Sequence, residues 1–545
     1  MPTRDLPARP SLEQYKKQAK DLLNAYKSAD PEAMHRVRAF VRGAEDTAGS
    51  APTKRITLTD AQFVIAREHG FESWPRFARH IETLNLSRSA AALTDPTASF
   101  IEASTPPRDG HASGTLEYAE LILSRYPDVA RGNIYVAALL ADEVVVRSII
   151  DRDARAATAK GGPFEWDPLT YLCFSRYLRL DASRSEAFVR TARALLDAGA
   201  SATTGWYETI DHPNPRRIIE SAIYGAAGVA RHPGLTRLLL ERGADPNDEE
   251  TPYHVPETTD NTVMRILLES GTLNTNSLTT MLLRKTDWHD PEGLRLLLEH
   301  GVNPSRVEPW GVSALHQAVR RDNSMKMIEL LLDHGADPSL EDTRDGRSAT
   351  AMAARRGRRA VLELFQQRGA SALAGVDRLI AACALDDRDT MRSMMADEPD
   401  LGSELVKEGG TLLAEFAGVG NAAGVRHLLD CGVSPAALYD GDGYFGIAKD
   451  STALHVAAWR SWPDVVKELI ARGTPVNATD GRGRTALALA VKACVDSFWT
   501  ERRSPESVRA LLEAGASVAG IDIPSGYDEV DVLLRRYVTS SGFAQ

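Results

Sequence analysis

Two groups of residues in this 545-residue chain have types and spacings that could do chemistry. The first is a window of about 40 residues holding His254, Glu257, Asp260, Asn261, Asp287, His289 and Asp290, with His232 a little upstream. Imidazole and carboxylate together can move protons or ligate a metal. His254, Glu257, Asp287, His289 and Asp290 are therefore the candidates for a catalytic or metal site. No His-Glu-x-x-His or other matched ligand spacing accompanies them. The second group is rich in arginine and tryptophan: Arg284-Lys285, Trp288, Trp310, Arg320-Arg321, Arg355-Arg356, Trp459-Arg460, and Phe498-Trp499 with Arg502-Arg503. Guanidinium forks grip oxyanions and indoles supply stacking area, a combination suited to an anionic ligand with apolar or flat parts. The plain alternative is that arginine near a helix C-terminus complements the helix dipole and stays solvated.

A recurring phrase sets the elements that must position both groups. A short apolar helix ends in Gly and a small residue, first at Leu195-Leu196-Asp197-Ala198-Gly199-Ala200 and again before Gly243, Gly271, Gly301, Gly335, Gly369, Gly432, Gly473 and Gly515. A degenerate copy ends near Met394-Met395-Ala396-Asp397, and an earlier one near Ile149-Ile150-Asp151-Arg152. About eleven units result, near the ~33-residue period of one repeat class. Leu, Ile and Val at helical spacing form one apolar stripe per helix, and the Gly supplies a left-handed cap. Segments such as Thr479-Asp480-Gly481-Arg482-Gly483 read as turns at the tips of extended fingers. The Asp440-Gly441-Asp442-Gly443-Tyr444 segment starts like a calcium loop, but Ser451 stands where the twelfth-position Glu belongs, so an enlarged finger is expected.

Thr251-Pro252-Tyr253-His254, Ser313-Ala314-Leu315-His316 and Thr452-Ala453-Leu454-His455, with Arg484-Thr485-Ala486-Leu487-Ala488 in the same register, resemble the signature of the ankyrin-repeat family over roughly residues 130–520. The resemblance implies an all-α fold of helix pairs with short hairpin-like fingers, stacked into a solenoid. It also implies a structural role for His254, His316 and His455 in tying adjacent loops. Partners of such proteins usually sit in the concave groove. The two residues before each inter-helix turn should face it: Asp287 and Trp288, Arg355 and Arg356, and Trp459 and Arg460. With Arg284, Arg320 and Arg321 nearby, Arg502 at the corresponding corner of the last repeat beside Trp499, and Trp310, the expected groove set is Arg284, Trp288, Trp310, Arg320, Arg321, Arg355, Arg356, Trp459, Arg460, Trp499 and Arg502. Pro256 interrupts one repeat, which should make it the weakest part of the array.

The expected organisation is a small helical domain over 1–85, a linker over 86–115 that can hold a short helix, repeats over 116–526, and a capping helix and tail over 527–545. Helices in the first segment are expected from Ser11, Asp30, Thr59 and Ser73. This region resembles a helical module that precedes ankyrin arrays in some bacterial proteins, a resemblance that implies no activity. It holds 14 Lys+Arg and 11 Asp+Glu, hence 14 − 11 = +3 against −11 for the whole chain. Nucleic acid is thus an unlikely partner, although 61–81 superficially fits a helix-turn-helix. No membrane-spanning run or secretory leader is evident. Four scattered cysteines point to a reduced cytoplasmic setting. No cofactor is expected. The function expected is a non-catalytic scaffold that binds a protein, peptide or small anionic ligand in its groove. The alternatives are an enzyme or metal site around 251–290, and a regulator contacting nucleic acid through 1–85.

Overall fold

The computed structural model describes residue 4 and residues 6–7, 10–41, 56–106, 110–210 and 215–540. Pro107 of the expected linker, and the tail beyond 540, lie outside them. The contacts divide the chain into two units, residues 1–255 with 262–273, and residues 256–261 with 274–545. The division falls in the repeat that Pro256 interrupts.

The first unit opens with helices Leu12–Lys27, Pro31–Arg38, Leu58–Glu68 and Trp74–Ala91. Their stripes meet in a core of Tyr15, Leu22, Val37, Val64, Ile65, Phe77 and Ile81. Buried Glu68 joins them by pairing with Arg36 at 2.7 Å and Arg4 at 3.3 Å. The third helix starts at Leu58, not Thr59. Thr57 forms a capping box with Asp60, which fixes the start earlier. The segment 86–115, expected as a linker, holds the end of the fourth helix and a further helix, Pro96–Ser104. Asp95 caps the latter, and Phe100 and Ile101 are buried. Helix pairs follow, with helices ending at Arg152, Asp197 and Glu241. One feature had no sequence signal in the repeat pattern. Gly205–Ile210 and Arg216–Ser221 form an antiparallel pair. Near the unit's end, helix Glu250–His254 is one turn long. Thr251 lies inside that helix instead of capping it, because the Asp248 carboxylate takes the Thr251 N–H at 2.7 Å.

The second unit is a succession of helix pairs with small fingers. Each inner helix is entered through a Ser, Thr or Asn cap in the regular repeats, as at Asn274, Ser313, Ser348 and Thr485. The turn from inner to outer helix is built alike in five repeats. A C-cap residue comes first, at Trp288, Arg321, Arg356, Val419 and Arg460. A left-handed residue follows, at His289, Asp322, Gly357, Gly420 and Ser461. Three of these five are not Gly, although a side chain there costs free energy. The His316 and His455 rings tie loops as the family resemblance implies. Nε2 of His316 donates to the Arg347 carbonyl at 3.0 Å, and Nε2 of His455 faces the Ala478 and Arg484 carbonyls at 3.0 and 3.1 Å. His254, by contrast, pairs with Glu250 at 3.1 Å and lies against Tyr224 in the first unit. The calcium-like segment is an enlarged finger closed by Leu438–Tyr439 pairing with Ser451–Thr452. Helix Asp528–Ser540 ends the described chain, with Val530, Leu533 and Leu534 buried.

Candidate functional site: an arginine- and tryptophan-lined cavity

The inter-helix turns of the second unit, the enlarged finger and the 498–502 insertion enclose a cavity of about 900 Å³. Trp288, Arg321, Val419 and Arg460 line it from the C-cap positions, and His289 and Asp322 from the left-handed positions. Arg358 and Trp462, each the N-cap residue of an outer helix, line it one residue further on. Tyr444 and Phe445 come from the finger, and Phe498, Trp499, Glu501 and Arg502 from the insertion.

Asp322 is the electrostatic hub. Its carboxylate accepts from Arg460 at 2.8 Å and from Arg356 at 3.2 Å. Burial pushes its pKa up, but the Arg356, Arg460 and Arg358 charges outweigh that and hold it below the usual carboxylate range. Arg356 also reaches Glu415 at 2.8 Å, and Glu415 accepts from the Tyr439 hydroxyl at 3.0 Å. Arg460, whose side chain is 3% exposed, places its guanidinium 4.2 Å from both the Phe445 and Trp499 rings. Burial lowers its pKa in spite of Asp322. Arg358 donates to the Asn323 carbonyl at 2.7 Å, and burial pushes its pKa down to about 10. Arg502 lies 4.5 Å from the Trp462 ring and 5.2 Å from Trp499, and burial and Arg460 bring its pKa down to about 10. Arg460 Nε, Arg358 Nη1 and Arg502 Nε have no hydrogen-bond partner among the described residues.

The finger closes one wall. The Tyr444 hydroxyl donates to the Asp287 carbonyl at 2.8 Å, and its ring lies 3.8 Å from the Arg321 guanidinium. Asn323 Nδ2 donates to His289 Nδ1 at 3.1 Å, so the His289 proton resides on Nε2, which donates to the Tyr444 oxygen at 3.1 Å. This chain of bonds fixes a neutral imidazole, and desolvation lowers its pKa against the pull of Asp322.

Six of the eleven expected groove residues therefore share one cavity: Arg284, Trp288, Arg321, Arg460, Trp499 and Arg502. Arg320, Arg355 and Arg356 line a separate cavity of about 270 Å³ with Glu408 and Glu415. Arg355 is bound there to Asp377 at 2.6 Å and Glu408 at 2.5 Å. Trp459 and Trp310 stand apart from both cavities. The Trp459 indole donates to the Phe445 carbonyl at 2.7 Å and props the finger, while Trp310 donates to Thr280 Oγ1 at 3.0 Å. The reason is positional. The C-cap residues Trp288, Arg321 and Arg460 line the cavity, whereas Arg320, Arg355 and Trp459 still belong to the last helical turn and do not. Arg356 also caps its helix but is drawn to Glu415 in the smaller cavity. Arg358 and Trp462 were missed because counting stopped at the turn. The same offset, two residues past the C-cap, locates both.

The acid–base candidates are divided between the two units. His254 belongs to the first unit and the other four to the second. Glu257 and Asp287 are both bound to Arg284, the latter at 2.6 Å, and Asp287 also takes Arg321 at 2.6 Å. Asp290 is paired at 2.8 Å with Lys285, which is fully buried. Among the described residues no group of three or more His, Cys, Asp or Glu is placed to hold a metal ion.

Stacked helix pairs, left-handed turns and loop-tying histidines define an all-α repeat protein. Ankyrin repeats, in three copies, match residues 285–374 and 413–522. Over 110 residues, 18% of this chain, the sequence is 30% identical to human transient receptor potential cation channel subfamily A member 1, of whose length the match covers only 10%. The ankyrin repeat domain of human ASB11 is similar at 23% identity, over 44% of this chain and 99% of that one, with a TM-score of 0.21. The segments 285–374 and 413–522 are thus ankyrin repeats.

Proposed function

We propose that this chain is a non-catalytic interaction protein and that the arginine- and tryptophan-lined cavity of the second unit receives its partner, as a protein or peptide segment or a small anionic ligand. Ankyrin repeats are generally protein-interaction modules, which supports the class. The observation that carries the site is the pairing of buried, under-matched cations with exposed apolar surface. Arg460 is held out of water, and Trp288 and Phe498 on the same cavity are 44% and 89% exposed. Exposed aromatic surface beside desolvated arginine is the composition of binding hot spots.

The test compares the intact chain with Trp288→Ala/Phe498→Ala and with Lys467→Ala on an outer helix. Each is immobilised, and retained components are identified by mass spectrometry. Loss of a partner from the aromatic double variant alone is the expected result. Loss only from Lys467→Ala would put the binding face on the other side of the repeats.

An enzyme or metal site around 251–290 has less support, since its carboxylates are engaged by Arg284, Arg321 and Lys285. Nucleic-acid contact through 1–85 also has less support. Phe77 and Ile81, in the second helix of the 61–81 segment, are buried in the helical core, and Glu72 just before that helix is bound to Arg76. A cytoplasmic setting is proposed from four unpaired cysteines. Among the described residues no helix is long and apolar enough to cross a membrane.

A further inference from the structure

We infer that the cavity is built for a small organic phosphate, a phosphate monoester carried on a flat ring, with Arg358, Arg460 and Arg502 gripping the phosphate and Trp288 and Phe498 flanking the ring. This deepens the reading that the cavity is the partner site, and rests on it.

The charge count is the first support. Arg284, Arg321, Arg358, Arg460 and Arg502 line the cavity against Asp287, Asp322 and Glu501, so with neutral His289 the lining carries 5 − 3 = +2, and still +1 when the Glu257 bound to Arg284 is included. Asp287 is already bound to Arg284 and Arg321. Asp322 is left to balance Arg358 and Arg460, since Arg356, which it also touches, has Glu415 at 2.8 Å. Glu501 approaches Arg502 only to 3.7 Å, with its own side chain 71% exposed. Buried guanidinium without a matched anion is costly, and an incoming dianion relieves that cost.

Geometry supplies the second support. The three arginines come from separate repeats, at the start of the helix Arg359–Gln367, at the end of Ala453–Trp459, and in the insertion before Glu506–Glu513. Each keeps a buried guanidinium nitrogen without an acceptor, a donor that a small side-chain shift would turn to a ligand. Arg460 and Arg502 converge on one indole, that of Trp499, at 4.2 and 5.2 Å. A tetrahedral oxyanion offers three oxygens to three such forks, whereas a planar carboxylate offers two. Size is the third support. About 900 Å³ lies within the roughly 300–1,000 Å³ of small-ligand sites. Inorganic phosphate alone would leave the exposed Trp288 and Phe498 faces uncovered.

The experiment is calorimetric titration of the intact chain, at low salt and pH 7.5, with adenosine 5′-monophosphate, phenyl phosphate, benzoate, inorganic phosphate and a phosphotyrosine peptide. The expected result is saturable binding of one or both ring phosphates, at least tenfold tighter than benzoate or inorganic phosphate. Arg502→Gln should weaken it at least tenfold and Phe498→Ala about threefold, with unchanged circular dichroism. Arg502 is a surface-connected side chain, so its loss should leave the fold intact, and Arg358→Gln serves as a second variant. Equal binding of benzoate overturns the phosphate assignment, and equal binding of inorganic phosphate overturns the ring. No binding by either ring phosphate overturns the proposal. If the phosphotyrosine peptide alone binds, the ligand is a protein segment, the small-molecule claim fails and the partner-site reading stands. If partner capture is also insensitive to Trp288 and Phe498, the partner-site reading fails separately.

Discussion

Asp322 and Arg460 stand 138 residues apart in the chain and meet at 2.8 Å with both side chains at most 12% exposed. The backbone of Asp322 is left-handed, with φ of 54°. A carboxylate thus occupies a position where Gly would be cheaper, and it earns that place by neutralising arginines from two later repeats.

Asp322→Ala should destabilise the second unit by about 3–5 kcal/mol, the cost of stranding a buried charge. Chemical denaturation followed by circular dichroism measures it. The double variant Asp322→Ala/Arg460→Met should recover part of the loss, since the stranded cation is gone. Additive losses would show that the pair is not coupled.

The interrupted repeat was expected to be the loosest part of the array. The structure gives residues 256–261 specific anchors: Lys285 Nζ donates to the Thr258 carbonyl at 2.6 Å, and Asn261 donates to Asp290 at 2.9 Å. Lys285→Met should release this loop. Amide exchange at 257–261 is expected to rise by an order of magnitude or more, while the repeat at 312–335 stays protected. Unchanged exchange would mean that the lysine is not what holds the loop.

Acid should loosen the second unit before its carboxylates titrate. In His455, Nδ1 accepts from the Thr452 N–H at 3.1 Å while Nε2–H faces two carbonyls, so the ring is held neutral. Burial lowers the pKa of His316 and His455 against the nearby carbonyls and Asp residues. A depressed folded value means the unfolded chain binds the proton more readily. The stability is complete above the unfolded value of about 6.5 and is lost as pH falls through and below it. The urea midpoint should drop between pH 7.5 and 5.5, and imidazole NMR shifts should place both titrations below 6.5. A flat midpoint would contradict this.

Glu220 in the first unit should behave in the opposite sense. Its side chain is 5% exposed, 3.7 Å from His111, and its pKa is pushed up to about 8 by burial and then by the charges of Glu250, Glu208 and Asp248. The folded state holds that proton more tightly, so stability is present below the unfolded value of about 4.3 and is lost as pH rises toward 8. Glu220→Gln should stabilise the first unit at pH 7.5 by roughly 2 kcal/mol and flatten the dependence. Lower stability in the variant at that pH would show that the carboxylate is ionised and satisfied.

The repeat was legible because each Gly after an apolar stripe demands a left-handed cap, and the observed helices end at those positions, including the degenerate ends at Arg152 and Asp397. The site was half legible. Arg321 and Arg460 follow from counting to the turn, but Asp322 reads as an ordinary turn residue until its partners are known. Tyr444 was hidden further still, since its contact depends on how far the finger reaches within the stack. The hairpin at 205–221 interrupts the repeat period, and periodicity cannot locate what breaks it.

The reach of Tyr444 has a mechanical consequence. In an open stack each repeat bears only on its neighbours, so the array stretches like a coil spring and can peel from either end. The Tyr444–Asp287 bond ties residues 157 positions apart. Between those two points the spring becomes a latched hoop. Tension applied beyond them loads the latch first. When it and the overlapping Asp322–Arg460 pair have both opened, the enclosed chain can release on the order of 500 Å of contour once its helices unravel. Repair is slower than rupture, because relatching must bring two distant segments together again.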